Sequence, residues 1–232
     1  MQRFRMFWIA FAMAMLALVM SNCDQRDDSS ANIIGPTDNE QVQLPPSNPK
    51  DQVVDSYPQY CISLSVPFRT QVLPGTWSST KNCGQTCVTM LNGYFNNAPV
   101  TAAAITSQNT WLATQYNDTR YNQANGWYTN VSQLRALLQH RGLQSSVLYG
   151  TTPEQVVAQL VNGRPSIVGV RIQGGNLVAS GGTLHWALVV GWDGTIIVND
   201  PGSSSGNHRH YSITAFNASW ASQNRIYIPV WE

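Results

Sequence analysis

The sequence has few charged residues. Asp, Glu, Lys and Arg make up 11% of its 232 positions, against roughly 25% in an average soluble protein. The formal net charge is +1 and no cluster of Lys and Arg occurs, so the chain lacks the basic surface that attracts nucleic acid. We therefore expect no nucleic-acid partner.

Cysteine is also scarce. Four cysteines are too few for a disulfide scaffold in a chain of this length, whereas a hydrophobic fraction of 43% is enough to build a core. Cys83 and Cys87 form a CxxxC pair, but zinc sites usually use CxxC spacing and a second pair of ligands. The sequence therefore disfavours a zinc site.

Residues 1–22 have the pattern of a secretory signal. Arg3 and Arg5 precede a short apolar run, Met6–Met20, which a polar stretch follows. The run is short for a spanning helix, which needs about 20 residues. This length favours a cleaved signal, and an uncleaved anchor is the alternative. Cys23, directly after the run, resembles the acylated cysteine of a bacterial lipoprotein. We expect the protein to work outside the cytoplasm, either anchored to a membrane or free in the periplasm or medium.

Residues 23–58 are predicted to be a flexible tether, and residues 59–232 a folded domain. The tether is rich in Asp, Ser, Asn, Gln and Pro, and the prolines of Leu44–Asp51 oppose both helix and central strand.

The domain has the pattern of an α+β fold, with helices first and strands last. Apolar residues at helical spacing predict a helix that begins at Cys83 and is capped by Asn82. Two further helices are predicted to begin after the capping residues Asn130 and Thr152. A second helix is predicted within Ala98–Gln115. Strands are predicted from β-branched runs within Arg164–Ile172, Leu184–Trp192, Thr195–Asp200 and Arg225–Glu232.

Cys83 is the candidate nucleophile. It opens a predicted helix, where unpaired N–H groups and the helix dipole stabilise a thiolate. Gly84 leaves room for a substrate backbone to approach. Cys87 lies on the apolar face of the same helix, and we interpret it as a structural thiol.

His185 and Asp200 are the candidate base and its orienting acid. A two-residue turn at Asp193-Gly194 places Ala187 opposite Asp200 in a hairpin. Because side chains alternate along a strand, His185 then lies diagonal to Asp200 on one face. A slip of one residue would put Asn199 in that place, which leaves the choice between the two open.

The remaining polar candidates are less specific. Gln71 could supply a side-chain amide to an oxyanion beside the N–H of Cys83, although a surface glutamine is the simpler interpretation. His140 lies in the last turn of a predicted helix, and His208 and His210 lie in a polar loop without a third metal ligand.

Several segments together resemble one family. The segments "SVPFRTQ", "NCGQTCVTMLNGYF", "TPEQVVAQLVNGRPSIVGV", "HWALVVGWDGTIIVNDPG" and "YSITAFNASW", within Val66–Trp220, resemble the double-glycine-leader peptidases and their stand-alone relatives. The resemblance implies a papain-like cysteine peptidase fold. It also implies a role for each of four residues: nucleophile, base, orienting acid and oxyanion glutamine, carried by Cys83, His185, Asp200 and Gln71. Gln85, where proline is common, and Cys87, where a small residue is frequent, depart from the family pattern.

The expected function is an exported thiol peptidase that acts on a peptide or protein substrate and needs no cofactor. The alternatives are a transpeptidase that uses the same acyl-enzyme, a silent peptide-binding protein of the same fold, and a structural protein of the envelope. A membrane contact is expected through the N-terminal lipid or signal anchor. Four aromatic residues are candidates to line the cleft: Trp127, Tyr128, Trp186 and Trp192.

The remaining thiols predict one disulfide. If Cys23 is acylated and Cys83 stays free, Cys61 and Cys87 are left in an oxidising compartment. We therefore predict a Cys61–Cys87 disulfide, with two separate buried thiols as the alternative.

Overall fold

The structure is a computed structural model that describes residues 57, 61–71, 80–122 and 126–232. The predicted signal sequence (1–22) and nearly all of the predicted tether (23–58), with Cys23, lie outside these described residues. In the described ranges, no helix is both long enough and apolar enough to span a membrane.

Helices dominate the first half of the domain, as predicted. The described α-helices are α1 (Cys83–Asn96), α2 (Ala102–Tyr116), α3 (Val131–His140), α4 (Pro153–Val161) and α5 (Ile213–Ala221), with a short 3-10 helix at Thr119–Asn122. Only α5 lies among the later strands. It begins after Ser212, whose hydroxyl accepts a hydrogen bond from the N–H of Ala215.

The strands form one antiparallel sheet. They are β1 (Ile62–Ser63), β2 (Gln144–Ser145), β3 (Ser166–Gln173), β4 (Asn176–Leu177), β5 (Thr183–Trp192), β6 (Ile196–Asn199), β7 (Arg209–Tyr211) and β8 (Tyr227–Trp231). Their order is β2-β8-β3-β5-β6-β7, with β1 paired to β5 and β4 paired to β3. The predicted α+β class is confirmed.

Two of the three predicted helix caps are confirmed. Asn130 and Thr152 each accept a hydrogen bond at the start of a helix and each form a complete capping box. Asn82 does not cap α1 with its side chain. Its Oδ1 instead accepts a hydrogen bond from Nδ2 of Asn109 at 2.9 Å, because a buried amide nearby competes for the same oxygen.

The hairpin between β5 and β6 differs from the prediction near its turn. Trp192 pairs with Ile196, so three residues rather than two form the turn, and the register then shifts by one between Val189 and Gly191. Beyond this bulge, Leu188 pairs with Asn199, which is the predicted register. The bulge cancels the extra turn residue before the strands reach His185.

The core lies between α1 and the centre of the sheet. Val88, Met90 and Leu91 on α1 are fully buried, as are Leu188 and Val189 on β5. Each such side chain contributes roughly 2 kcal/mol through apolar burial. This packing fixes the first turn of α1 against the middle of β5, where the candidate residues lie.

Candidate active site

Cys83 is the first residue of α1 and is buried. Its side chain is hydrogen-bonded to His185, and it also accepts backbone hydrogen bonds from Trp186 and Gly84. Burial alone raises the pKa of the thiol. The hydrogen bond and positive charge of His185, with the two backbone donors, outweigh burial and bring the pKa of Cys83 below its ordinary value.

His185 lies on β5 and connects Cys83 with Asp200. Its Nε2 is 2.7 Å from Oδ1 of Asp200, and the side chains of both residues are only 3% exposed. Burial lowers the pKa of the imidazole, but the hydrogen bonds and charges of Asp200 and Cys83 raise the pKa of His185 to about 10. A thiol with a lowered pKa therefore faces an imidazole with a raised one, which favours a thiolate–imidazolium pair.

Asp200 rather than Asn199 lies against His185. The Oδ1 of Asp200 also accepts the N–H of Gly202 at 2.8 Å. Asn199 points elsewhere, because its amide donates to the carbonyl of Val66 and accepts from the N–H of His208. Burial raises the pKa of Asp200, but the hydrogen bond and charge of His185 bring it below the ordinary range.

Gln71 lies beside the chain segment that leads into Cys83. Its Nε2 donates to the carbonyl of Thr80 at 3.1 Å, three residues before the nucleophile candidate. Its backbone N–H donates to the carbonyl of Pro201 at 2.7 Å, directly after Asp200. These two bonds therefore connect Gln71 both to the segment that leads into Cys83 and to the residue that follows Asp200.

Sequence reasoning missed how closely residues 126–129 approach α1. The indole N–H of Trp186 donates to the carbonyl of Thr129 at 2.8 Å, and Nε2 of Gln85 donates to the carbonyl of Trp127 at 3.0 Å. A Cβ on Gly84 would lie 2.0 Å from Oγ1 of Thr129. The glycine after Cys83 thus leaves room for Thr129 and not only for a substrate. The sequence pattern alone could not tell these two uses of the glycine apart.

The four aromatic candidates separate into two groups. The Tyr128 ring is 46% exposed and Trp127 and Trp186 are partly buried. Trp192 is buried and stacks on Tyr57 with ring centroids 4.5 Å apart. It lies at the far end of β5, about 20 Å from His185 along the strand, and therefore belongs to the core.

Arg209 also contacts the site, and the sequence did not indicate this role. Its Nη1 lies 3.5 Å from Oδ2 of Asp200. The same guanidinium donates to the carbonyl of Gly175 and to Oδ1 of Asn176. A lone arginine in the polar loop "GNHRHY" carries no sequence signal for this contact.

The other histidines lie away from the three central residues. His140 stacks on Trp111, with ring centroids 4.5 Å apart. His210 lies 3.0 Å from Oδ2 of Asp193 at the hairpin turn, and His208 contacts Asn207. In the part of the chain that the structure describes, no group of three or more His, Cys, Asp or Glu side chains is arranged to hold a metal ion.

The predicted Cys61–Cys87 disulfide is wrong. Cys87 is a free, buried thiol whose Sγ donates to the carbonyl of Trp186 at 3.7 Å, and burial raises the pKa of this thiol well above its ordinary value.

Geometry explains why these two cysteines do not pair. Ile62, next to Cys61, pairs with Trp192, whereas Cys87 contacts Trp186. Six residues along β5 correspond to about 20 Å, and a disulfide allows a Cα separation of at most about 7 Å.

Comparison with solved structures shows the fold. A C39-like peptidase from Bacillus anthracis is 15% identical with a TM-score of 0.51, and the match covers 74% of this chain and 98% of that one. Two further structures, each 15% identical with a TM-score of 0.45, match 72% of this chain. They are a double glycine motif protease from an AMS/PCAT transporter in complex with its leader peptide, covered to 92%, and the peptidase domain of Streptococcus ComA, covered to 96%.

Comparison with protein families shows what the chain is related to. No curated protein sequence matches the chain significantly. The model of the Peptidase_C39-like family matches residues 63–228. This match runs from β1 into β8 and includes the three central residues of the site. The chain therefore belongs to the Peptidase_C39-like family.

Proposed function

We propose that the chain is an exported cysteine peptidase that hydrolyses peptide bonds through Cys83, His185 and Asp200. Family membership supports a cysteine-peptidase type of function. The observation that carries the finer assignment is the buried series of hydrogen bonds from the Cys83 thiol through His185 to Asp200. A nucleophile, a base and an orienting group in this order are what acyl transfer through a thiol requires.

The proposed reaction begins with attack by the Cys83 thiolate on a peptide carbonyl carbon. As the C–S bond forms, the carbonyl electron pair moves to oxygen. The resulting oxyanion is stabilised by the N–H of Cys83 and the amide of Gln71. One N–H of that amide is committed to Thr80, and the second remains available because a primary amide has two.

Proton transfer through His185 completes both halves of the reaction. The imidazolium gives its proton to the leaving amine as the C–N bond breaks, which leaves a thioester on Cys83. His185 then takes a proton from water, and the hydroxide attacks the thioester and releases the acid. Asp200 keeps the ring in place and stabilises its positive charge.

The proposed location is outside the cytoplasm. Support comes from the signal-like pattern of residues 1–22 and from the lipoprotein-like position of Cys23. Expression of the full chain in a bacterial host, with cell fractionation of the wild type and of Cys23→Ala, tests this part separately. Release of Cys23→Ala from the membrane fraction is expected, and a cytoplasmic wild type would contradict the proposal.

Thiol alkylation tests the assignment of the nucleophile. Iodoacetamide is applied to the full-length protein between pH 5 and pH 9, and the modified peptides are quantified by mass spectrometry. We expect Cys83 at pH 6 to react about tenfold faster or more than an ordinary thiol, which is almost wholly protonated there. Cys87, on the same helix and equally buried, is the internal control and is expected not to react.

Two variants complete the test. His185→Ala is expected to abolish the reaction of Cys83 at pH 6, because the thiolate loses its counter-charge. Cys83→Ala is expected to abolish the hydrolysis of a proteome-derived peptide library. A wild type that leaves the library intact, with Cys83 reacting like an ordinary thiol, would favour a silent binding protein.

A further inference from the structure

A positively charged aromatic wall lies beside the nucleophile candidate. The ammonium of Lys81, two residues before Cys83, is 4.0 Å from the ring centroid of Trp127 and 5.2 Å from that of Tyr128. The two rings meet edge to face, with centroids 5.7 Å apart. We call Lys81, Trp127 and Tyr128 the cationic wall.

Hydrogen bonds from α1 and from β5 hold the cationic wall in place. Gln85, two residues after Cys83, donates to the carbonyl of Trp127. Trp186, directly after His185, donates to the carbonyl of Thr129. The backbone on either side of Tyr128 is therefore fixed to a neighbour of the nucleophile and to a neighbour of the base.

The exposed part of the wall lies next to the first turn of α1, because Thr129 contacts Gly84 and Trp127 is bonded to Gln85. Tyr128 is one of the exposed large hydrophobic residues of the described part of the chain, at 46%. Tyr128 stands in the chain between two residues whose carbonyls are bonded to Gln85 on α1 and to Trp186 on β5. A substrate residue next to the scissile bond would pass over the Tyr128 ring and within reach of the Lys81 ammonium.

The charge of Lys81 is not neutralised by the domain. Residues 57–232 contain five acidic residues. Each interacts with other residues: Asp118 pairs with Arg120, Asp193 with His210, Asp200 with His185 and Arg209, Glu154 bonds to Tyr57, and the charge of Glu232 acts on Tyr94. In the described part of the chain, Lys81 has no carboxylate within ion-pair distance.

The second cation near the wall is already paired. The guanidinium of Arg120 lies 4.9 Å from the Trp127 centroid, but its Nη2 is 2.6 Å from Oδ2 of Asp118. Lys81 differs because ring contacts do not use up the three N–H donors of an ammonium. It is therefore the cation of this wall that can accept a new anionic partner.

We propose that Lys81 selects substrates with a carboxylate side chain, Asp or Glu, next to the scissile bond. The carboxylate would accept a charge-assisted hydrogen bond from the ammonium, while the aliphatic part of the substrate side chain packs on Tyr128. The inference rests on the proposed peptidase function and adds the class of substrate to it.

A cleavage-site survey tests the preference. A proteome-derived peptide library is digested at low salt with the wild type and with Lys81→Met, which keeps an aliphatic chain against Trp127. Arg135→Met, on the exposed side of α3, removes the same charge away from the site and is the matched control. We expect Asp and Glu to be enriched roughly fivefold next to cleaved bonds, as for a partly exposed charge pair.

The outcomes of the survey separate clearly. Enrichment in the wild type and in Arg135→Met that disappears in Lys81→Met supports the proposal. Acidic residues cleaved no more often than others, or an enrichment that Lys81→Met retains, would overturn it. Added salt is expected to weaken the preference, because it screens the pair.

A binding measurement keeps the inference separate from the proposed chemistry. Full-length Cys83→Ala is titrated with acetyl-Ala-Ala-Glu-Ala-Ala-amide and with the Gln counterpart, and tryptophan fluorescence is followed. About fivefold tighter binding of the Glu peptide is expected, and it should be lost when Lys81→Met is added. Selective binding of the Glu peptide without any hydrolysis by the wild type would contradict the peptidase assignment alone. Equal binding of both peptides would contradict the role of Lys81 alone.

Discussion

Arg209 lies 3.5 Å from Oδ2 of Asp200, the carboxylate oxygen that His185 leaves unused. Within the described residues, this buried oxygen has no hydrogen-bond donor, and the guanidinium places a positive charge beside it. Four groups of alternating charge thus follow one another: Arg209, Asp200, His185 and Cys83. The arginine stabilises the negative form of Asp200 without contacting the nucleophile.

Replacement of Arg209 is expected to change the pH dependence of peptide hydrolysis. The charge of Arg209 helps to lower the pKa of Asp200, so Arg209→Gln should raise that pKa and move the acid limb of kcat/KM to higher pH. We expect activity at neutral pH to fall about fivefold, since this partly exposed partner contributes roughly 1 kcal/mol. Arg209→Lys restores the charge and should recover most of the loss. A loss of equal size in both variants, with no shift of the limb, would show that Arg209 acts only in packing.

Gly202 is expected to tolerate no side chain. A Cβ there would lie 2.9 Å from Cε1 of His185 and 3.1 Å from Oδ1 of Asp200, so Gly202→Ala must displace the ring or the carboxylate. A displacement approaching 1 Å can cost about a hundredfold in rate. Measurement of kcat/KM together with the melting temperature checks this expectation.

Gly142→Ala is the control for Gly202. Gly142 has a φ of +75° and open space around its Cβ position, so alanine there should cost stability through backbone strain and leave the rate unchanged. Wild-type activity in a well-folded Gly202→Ala would contradict the contact between this glycine and His185.

The activity is expected to follow a broad bell-shaped pH profile. Because the pKa of Cys83 is lowered and that of His185 is raised to about 10, the ion pair should form below the ordinary thiol pKa of about 8.5. It should persist until the imidazolium loses its proton near pH 10. Activity is thus lost at acid pH when the thiolate or Asp200 takes up a proton, and lost above the His185 pKa by deprotonation of the ring.

Asp200→Asn tests which group sets the alkaline limb. The carboxylate raises the pKa of His185, so its removal should move the alkaline limb of kcat/KM to lower pH while the acid limb moves much less. Thiolate absorbance near 240 nm follows the ionisation of Cys83, and hence the acid limb, without turnover. An alkaline limb at the same pH in both proteins would show that Asp200 does not control the proton on His185.

Local sequence patterns predicted the elements that depend on neighbouring residues. The predicted caps at Asn130 and Thr152 are confirmed because their partners lie three residues away, and both form complete capping boxes. The placement of Asp200 beside His185 also follows from a short hairpin, although it needed a bulge that the sequence did not reveal. In each case the relevant contact lies within a single helix end or a single hairpin.

Long-range contacts could not be predicted in the same way. The Asn82 cap was wrong because Asn109, 27 residues later, takes the side-chain oxygen. The Cys61–Cys87 bridge was wrong because elimination among thiols contains no information on distance. Trp127 and Tyr128 of the cationic wall lie in a segment without periodicity before α3. Buried amides of Gln85 and Asn109 form the polar network that holds this segment.

Gln85 is the member of that network whose replacement should weaken substrate binding. Its fully buried amide donates to the carbonyl of Trp127 at 3.0 Å and to Oδ1 of Asn109 at 2.9 Å. Gln85→Met keeps the volume but leaves both acceptors without this donor. We expect a loss of about 2 kcal/mol in the free energy of unfolding and a several-fold rise in KM, because the backbone under Tyr128 is released.

Gln108→Met separates stability from cleft geometry. Gln108 is equally buried and donates to Oγ1 of Thr89 at 2.7 Å, but it does not bond to residues 126–129 in the described structure. Urea unfolding should therefore show a similar loss in both variants, whereas KM should rise only in Gln85→Met. A KM that rises equally in both would mean that general loosening of α1 and α2, rather than the anchored wall, governs how the substrate is held.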